Sequence, residues 1–434
     1  MNNIIGIRHE DKYLMERRVA IIPAHVCNLV DQGLKFQVQT SPKRVFSDQA
    51  FSECGAKIVE KLDQADVIFG VKEMPNDLFM PHKTYIFFSH VIKGQEYNMP
   101  MLKKMIEQKV NLIDYEKIAD DEGRRLIFFG RFAGLAGMIN SLWALGLRLE
   151  HYGYDTPFKN LKQTHRYSSL KEAKNDIREA GHWISENGLP EELLPFTIGF
   201  TGYGNVSNGA QEIADLLPGM YVTPEELTKL ESRDNLPDNI IYKTVFREEH
   251  IVTPNAGQAF DLHDYYDHPE KYDSQFERYL PHLSVLMNCM YWDERYPRIV
   301  TKDYLKKVFS EGTPKLTVIG DVTCDPDGSI ECTFKGTEIE DPIFVYNPLD
   351  DSYTMGHKGE GILDMAVDIL PSELPLESSI AFSNALVRYL PAIASEDLSR
   401  SFEQISLPGP VKRAMILHQG KLTPDYQYLE EHLK

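Results

Sequence analysis

The stretch Phe196-Thr197-Ile198-Gly199-Phe200-Thr201-Gly202-Tyr203-Gly204-Asn205-Val206-Ser207-Asn208-Gly209 decides the fold. Phe196–Phe200 is a short apolar run that reads as a buried strand, and the helical pattern Ala210–Leu217 follows the glycines. Strand, glycine turn and helix form the setting in which a G-x-G-x-x-G pattern has a mechanism. Gly202 and Gly204 would allow a tight turn and close approach of a pyrophosphate, while Ser207 stands in the third place, where a small residue permits helix–strand packing. The helix start adds N–H donors and a positive dipole end. Gly202, Gly204, Asn205, Val206 and Ser207 are therefore the candidate cofactor-binding residues, with an ordinary tight turn as the plain alternative. The next strand is expected at Tyr221-Val222-Thr223, whose end would carry Asp or Glu for the ribose of NAD(H). Thr223-Pro224 stands there instead, so NADP(H) is favoured over NAD(H), although no arginine stands out as the partner of a 2′-phosphate.

Outward from this motif the chain reads as two domains, since 434 residues exceed what one hydrophobic core holds. Upstream, apolar runs at Ile4–Ile7, Phe36–Gln39, Val67–Val71, Tyr85–Phe88, Val110–Ile113 and Leu126–Phe129 alternate with helical patterns such as Ala24–Gln32 and Met99–Gln108. That alternation predicts βαβ crossovers and a mostly parallel sheet. Phe132–Tyr152 predicts one long helix that opens with Ala133, Gly134, Ala136 and Gly137 and joins the two domains. Downstream, residues 225–275 are polar, acidic and Pro-punctuated and look like an insertion. Apolar runs return at Leu283–Met290 and Leu316–Gly320, two prolines break Ile369–Pro375, and a last helix spans Ile380–Ile393. The expected architecture is α/β, with two Rossmann-like parallel-sheet domains facing each other across a cleft. The substrate domain takes residues 1–132, completed by 376–434, and the dinucleotide domain takes 133–375.

Composition narrows the function. With 65 acidic and 46 basic residues the net charge is −19, which argues against a nucleic-acid binder. The imbalance is uneven: residues 1–132 carry a net +1 and the remaining 302 carry −20. No apolar run approaches the roughly 18 residues of a membrane span. Five scattered cysteines without a CxxC pair, and no export or transit pattern at the start, predict free thiols in a reduced, cytoplasmic setting.

Lys72 follows the run Val67–Val71, and His90 closes Tyr85–Ser89. Ends of parallel strands are where open α/β sheets place ligands. Partial desolvation there moves a lysine toward the range useful for proton transfer, and histidine needs little tuning. Arg17-Arg18 and Arg124-Arg125 flank similar strand ends, and arginine's planar fork suits carboxylates. For each of these residues alone, surface charge is the plain reading. Asp261–His268 holds several Asp and His, but its spacing fits no tetrahedral set; a structural loop, and no metal, is expected.

Taken together, Glu16–Ala20, Gly70-Val71-Lys72, Phe87–His90, Leu112–Glu116, Phe132–Met138 and Phe200–Gln211, with Ile369–Pro375 and the tail Gly420–Tyr428, are recognisable in this order. The chain resembles, over essentially its whole length, the lysine–2-oxoglutarate reductase half of the bifunctional aminoadipic semialdehyde synthases. That half is itself similar to lysine-forming saccharopine dehydrogenase and alanine dehydrogenase. The resemblance implies an alanine dehydrogenase-like fold and the NADPH-dependent reductive condensation of L-lysine with 2-oxoglutarate to saccharopine. By position it implies Lys72 and His90 as the acid–base pair, and Arg18 and Arg125 as carboxylate binders. It places Lys93, Gln95 and Glu116 in substrate-binding segments and Asp325 beside the nicotinamide. The expectation is a chain without the saccharopine-cleaving domain, with room for a separate dehydrogenase as metabolic partner and for a homo-oligomer. Glu73 after Lys72 is a fungal-type feature.

The chemistry agrees with the residue types: an amine must lose a proton to attack a ketone, and the carbinolamine needs an acid to lose water. Three substrate carboxylates need cationic partners if they are to be buried. The alternatives are an alanine dehydrogenase-like enzyme acting on a smaller amino acid and a non-catalytic nucleotide sensor.

Overall fold

The computed structural model describes residues 3–233, 235–255 and 257–434. The chain forms two compact units, Met1–Phe129 with Pro375–Lys434, and Gly130–Leu374. The α/β class expected from the sequence is what each unit shows.

In the first unit six short strands run parallel: β1 (Ile5–Ile7), β2 (Phe36–Gln39), β3 (Lys57–Val59), β4 (Val67–Phe69), β5 (Thr84–Phe87) and β6 (Asn111–Asp114). Their order is β3-β2-β1-β4-β5-β6, so the winding reverses between β1 and β4. β1, β4, β5 and β6 are buried throughout, the signature of a sheet covered on both faces. Helices α1 (Pro23–Asp31), α2 (Asp48–Glu53) and α3 (Met99–Glu107) lie between the strands. The returning chain adds Met415–His418 antiparallel to β6, and Lys421–Leu422 beyond it.

Three expectations change here. Leu126–Phe129 is not a strand, because the edge of β6 it would have joined is taken by Met415–His418. The last helix divides into Pro375–Leu386 and Leu390–Ser395 with a 3₁₀ turn between them, where Pro391 lacks the N–H a continuous helix would use. Cys27 and Cys54 form a disulfide, where free thiols were expected. Cys27 lies in α1 and Cys54 just after α2, and the packing of these helices brings together cysteines that no local spacing connects.

The second unit contains α4 (Gly130–His151), α5 (Leu170–Asn187), β7 (Thr197–Thr201), α6 (Asn205–Ala214), β8 (Gly219–Tyr221), β9 (Ile241–Phe246), a small hairpin β10 (Val252–Pro254) and β11 (Tyr272–Ser274), β12 (Val285–Asn288), β13 (Val318–Asp321), β14 (Ile343–Asn347), β15 (Ser352–Met355) and β16 (Ile362–Met365). The main sheet runs β15-β14-β16-β13-β12-β7-β9-β8, with its six central and right-hand strands parallel and β14–β15 antiparallel at one edge. Residues 225–275 are thus only partly an insertion, since β9 lies inside the sheet between β7 and β8. Asp261–His268 is not a loop: Leu262–Asp267 is a short helix capped by the Asp261 carboxylate and held by buried Tyr265.

The small residues that open α4 serve packing within this unit. A Cβ on Gly134 would lie 1.8 Å from the Val206 carbonyl oxygen, and one on Gly209 would lie 2.1 Å from that of Arg131. Glycines on both sides let α4 and α6 touch backbone to backbone. By length and composition α4 could cross a membrane, but 83% of its apolar window is buried inside the protein. It is a core helix.

Candidate functional site

In the first unit the carboxyl ends of β1, β4, β5 and β6 carry Glu10, Lys72-Glu73, Ser89-His90 and Asp114–Glu116, each at the end of a buried strand or shortly past it. β1 and β4 flank the reversal of winding, where open α/β sheets bind ligands. Buried Glu10 spans that gap, its carboxylate accepting the Val71 N–H at 2.7 Å and the Lys72 N–H at 3.0 Å. It thereby fixes the turn that presents Lys72. Burial raises its carboxyl to about 7, against the opposing charge of Arg8.

Glu73 lies between two bases. Its Oε1 is 2.5 Å from His90 Nδ1, and its Oε2 accepts from Lys12 Nζ at 2.8 Å. Burial would raise the Glu73 carboxyl, but the bonds from His90 and Lys12 outweigh it and hold the group down at about 2. His90 has a left-handed backbone, φ 54°, which is unusual for a residue with a side chain. Asn98 Nδ2 donates to its carbonyl at 2.9 Å. Buried Asp114 holds the preceding residue, accepting the Ser89 N–H at 3.0 Å and the Ser89 hydroxyl. A cavity of about 470 Å³ opens beside Glu73, lined by Asp11, Lys12, Tyr97 and Asn98.

Arg18 is buried in a bidentate pair with Glu16: Nε to Oε1 at 2.8 Å and Nη2 to Oε2 at 2.5 Å. Its guanidinium carbon lies 4.2 Å from the centre of the Phe129 ring, and Nη1 takes no part in the pair. Burial acts to raise the Glu16 carboxyl, but Arg18, with help from Lys72, leaves it below its ordinary value. The influence of Lys72 on Glu16 puts Arg18 and Lys72 in one electrostatic neighbourhood. Arg125 is exposed and ion-paired with Glu116. Lys93 and Gln95 are exposed on either side of Gly94, and the structure does not bring them into this cluster.

In the second unit the glycine turn has the shape its residues predict, with one difference: α6 begins at Asn205 rather than Ala210, directly after Gly204. Gly202 adopts φ 76° and donates its N–H to the Phe246 carbonyl at 2.9 Å. A Cβ on Gly204 would meet nothing within 4 Å, so the space over the α6 N-terminus is open. Asn205 and Val206 form the first turn. Ser207 is buried, with its hydroxyl accepting from Gln211 Nε2. Open space at Gly204, a left-handed Gly202 and the N–H groups of a ten-residue helix fit a diphosphate. Buried Asn288 ties three strand ends together: its Oδ1 accepts from the Thr201 hydroxyl at 3.0 Å, and its Nδ2 donates to Asp321 at 2.8 Å and Thr323 at 3.0 Å. Asp325 is exposed in the turn after β13. The sequence alone does not single out Glu10, Glu73, Asp114 and Asn288 as site residues. Their common signal is a polar residue at or just past the end of an apolar strand.

Residues 6–136 match the model of the alanine dehydrogenase/PNT N-terminal domain. The alpha-aminoadipic semialdehyde synthase of Arabidopsis thaliana is 38% identical over 99% of this chain and 41% of its own length. The Bos taurus protein of that name is 35% identical over 99% of this chain and 48% of its own length. By sequence the chain is similar to part of the aminoadipic semialdehyde synthases. It spans about half the length of these relatives. A saccharopine dehydrogenase [NAD(+), L-lysine-forming] of Yarrowia lipolytica is 27% identical, with 91% of this chain and 93% of that protein aligned. Among solved structures, an L-alanine dehydrogenase matches with a TM-score of 0.61 at 17% identity, covering 99% of this chain and 100% of that one. A transhydrogenase from Sinorhizobium meliloti matches with 0.57 at 15% identity, covering 97% and 100%. The fold is that of alanine dehydrogenase.

Proposed function

We propose that the protein forms saccharopine by reductive condensation of L-lysine with 2-oxoglutarate, with NADPH as the reductant. One observation carries this reading: Lys72 and His90, on the ends of adjacent strands, share a charged cluster with Glu73, Glu16 and Arg18 at the reversal of the sheet. The names of the relatives supply the substrates.

The nicotinamide, when bound, supplies the hydride. The chain's own residues do the rest. With Nδ1 engaged by Glu73, His90 presents Nε2 for proton exchange. One of the pair Lys72/His90 takes the proton of the substrate ε-ammonium, freeing the amine to attack the ketone. The other protonates the carbinolamine hydroxyl so that it leaves as water and the imine forms. Glu73, ionised through the working pH range, stabilises positive charge on His90. Arg18 meets a substrate carboxylate through Nη1 while Glu16 fixes its plane. Arg125 reaches a second carboxylate by releasing Glu116.

Initial rates of NADPH oxidation test this. Turnover is expected with lysine and 2-oxoglutarate and not with ammonia and pyruvate. Lys72→Met and His90→Gln should each lower kcat by roughly 10²–10⁴-fold, the usual loss of an acid–base group. Turnover with ammonia and pyruvate alone, or unchanged rates in both variants, overturns the proposal.

A further inference from the structure

In a dinucleotide fold, the residue just past the strand beside the glycine loop faces the adenosine ribose. Chain order makes β8 that strand, but neither its last residue, Tyr221, nor Val222 and Thr223 just past it is cationic, and the neighbouring Lys243 is buried and bonded to Asp215 at 3.0 Å. The sheet order is different: β9 lies directly beside β7 and displaces β8 to the edge. Thr201, the last residue of β7, pairs with Phe246, the last of β9, and the Gly202 N–H bonds the Phe246 carbonyl at 2.9 Å. The next residue is Arg247. It is exposed, and its guanidinium carbon lies 5.0 Å from the ring centre of Tyr203, the residue between the two glycines.

We propose that Arg247, backed by Tyr203, binds the 2′-phosphate of NADPH and sets the coenzyme preference. This inference rests on reading the chain as an NADP(H) reductase and deepens it. A guanidinium lying against an aromatic ring keeps its N–H groups in its own plane, where a phosphate monoester accepts two of them. The neighbouring Glu248 is turned to a different task. Its carboxylate accepts from the Tyr266 hydroxyl at 2.6 Å, on the wall of a cavity of about 370 Å³ shared with Gly202 and Gly204. A carboxylate held by a phenol is restrained from approaching the ribose, where it would repel a phosphate and accept the diol of NADH.

The test is nucleotide binding to the whole chain without substrates, read from the fluorescence of bound NADPH or NADH. Adenosine 2′-monophosphate and adenosine 5′-monophosphate serve as competitors. The unaltered protein should bind NADPH at least about tenfold tighter than NADH, and the 2′-isomer should displace NADPH at the lower concentration. Arg247→Ala should weaken NADPH about 10–100-fold, the range of a lost charged hydrogen-bonding group, and leave NADH within about threefold. Arg247→Lys should keep part of the affinity. Because Arg247 is exposed, an unchanged melting temperature should show that the variants fold. Equal losses for both nucleotides, no loss for either, or a native preference for NADH overturns the assignment, the last in favour of Glu248 as the ribose acceptor. Failure to bind either nucleotide would defeat the reductase reading itself. Arg247-dependent binding without turnover on lysine and 2-oxoglutarate would defeat only the substrate reading.

Discussion

The two units place very different chemistry on the same part of the same kind of sheet. At the carboxyl edge of the first, nearly every strand ends in an ionisable group: Glu10, Lys72 and Glu73, His90, Asp114. At the carboxyl edge of the second, the glycine turn follows β7, and Thr201, Asn288 and Thr323 are bonded to one another or to buried Asp321, while the charged Arg247 stands exposed just past β9. One edge gathers charged side chains into a bonded cluster. The other leaves open space above the helix N–H groups beside Gly204, with one exposed guanidinium, Arg247, over Tyr203. A parallel sheet dictates where a site lies, and the residues that end its strands dictate what the site does.

The largest expected effect tests the second edge. Gly134→Val inserts side-chain atoms where a Cβ already lies 1.8 Å from the Val206 carbonyl. Backbone cannot rotate away as a side chain can, so a loss of at least about 3 kcal/mol is expected. The measurement is chemical denaturation together with NADPH binding, and full stability with native affinity would break the account of α4–α6 packing.

The next effect belongs to the first edge. The folded Glu10 carboxyl sits at about 7, above its ordinary 4.5, so the folded state favours its protonated form. Its stabilising effect is present below pH 4.5 and is lost as the pH rises through 7. Up to about 3 kcal/mol is at stake across this interval. Glu10→Gln cannot titrate, so the stability difference between variant and native protein should shift by that order between pH 4.5 and 8, measured by denaturation at each pH. A constant difference would contradict the assignment.

The smallest effect concerns Cys27–Cys54. Under non-reducing conditions three of the five cysteines should alkylate on unfolding, and all five after reduction. Replacing both by serine should cost no more than about 3.5 kcal/mol, the entropy of closing a loop of this length. Alkylation of all five without reductant would refute the bond.

How much was legible in the sequence follows the same contrast. Buried parallel strands are continuous apolar runs, so β1, β2, β4, β5, β6 and β7 announced themselves, as did the glycine turn. Pairing between distant segments leaves no local mark. That is why the segment of β9 reads as part of an insertion, why Met415–His418 carries no sign that it closes β6, and why Leu126–Phe129 reads as a strand it cannot form. Lys72, His90 and Arg18 were legible as charges beside apolar runs. Glu10 was not, because its role depends on β1 and β4 being neighbours, 61 residues apart from Glu10 to Val71.

In the proposed function this chain passes a hydride to an imine built from two substrates. NADPH carrying deuterium at the transferred position, incubated with lysine and 2-oxoglutarate, tests it most directly by mass spectrometry of the product. Saccharopine heavier by one mass unit than that formed with unlabelled NADPH is the predicted result. Unlabelled saccharopine, or labelled product from ammonia and pyruvate alone, would contradict it.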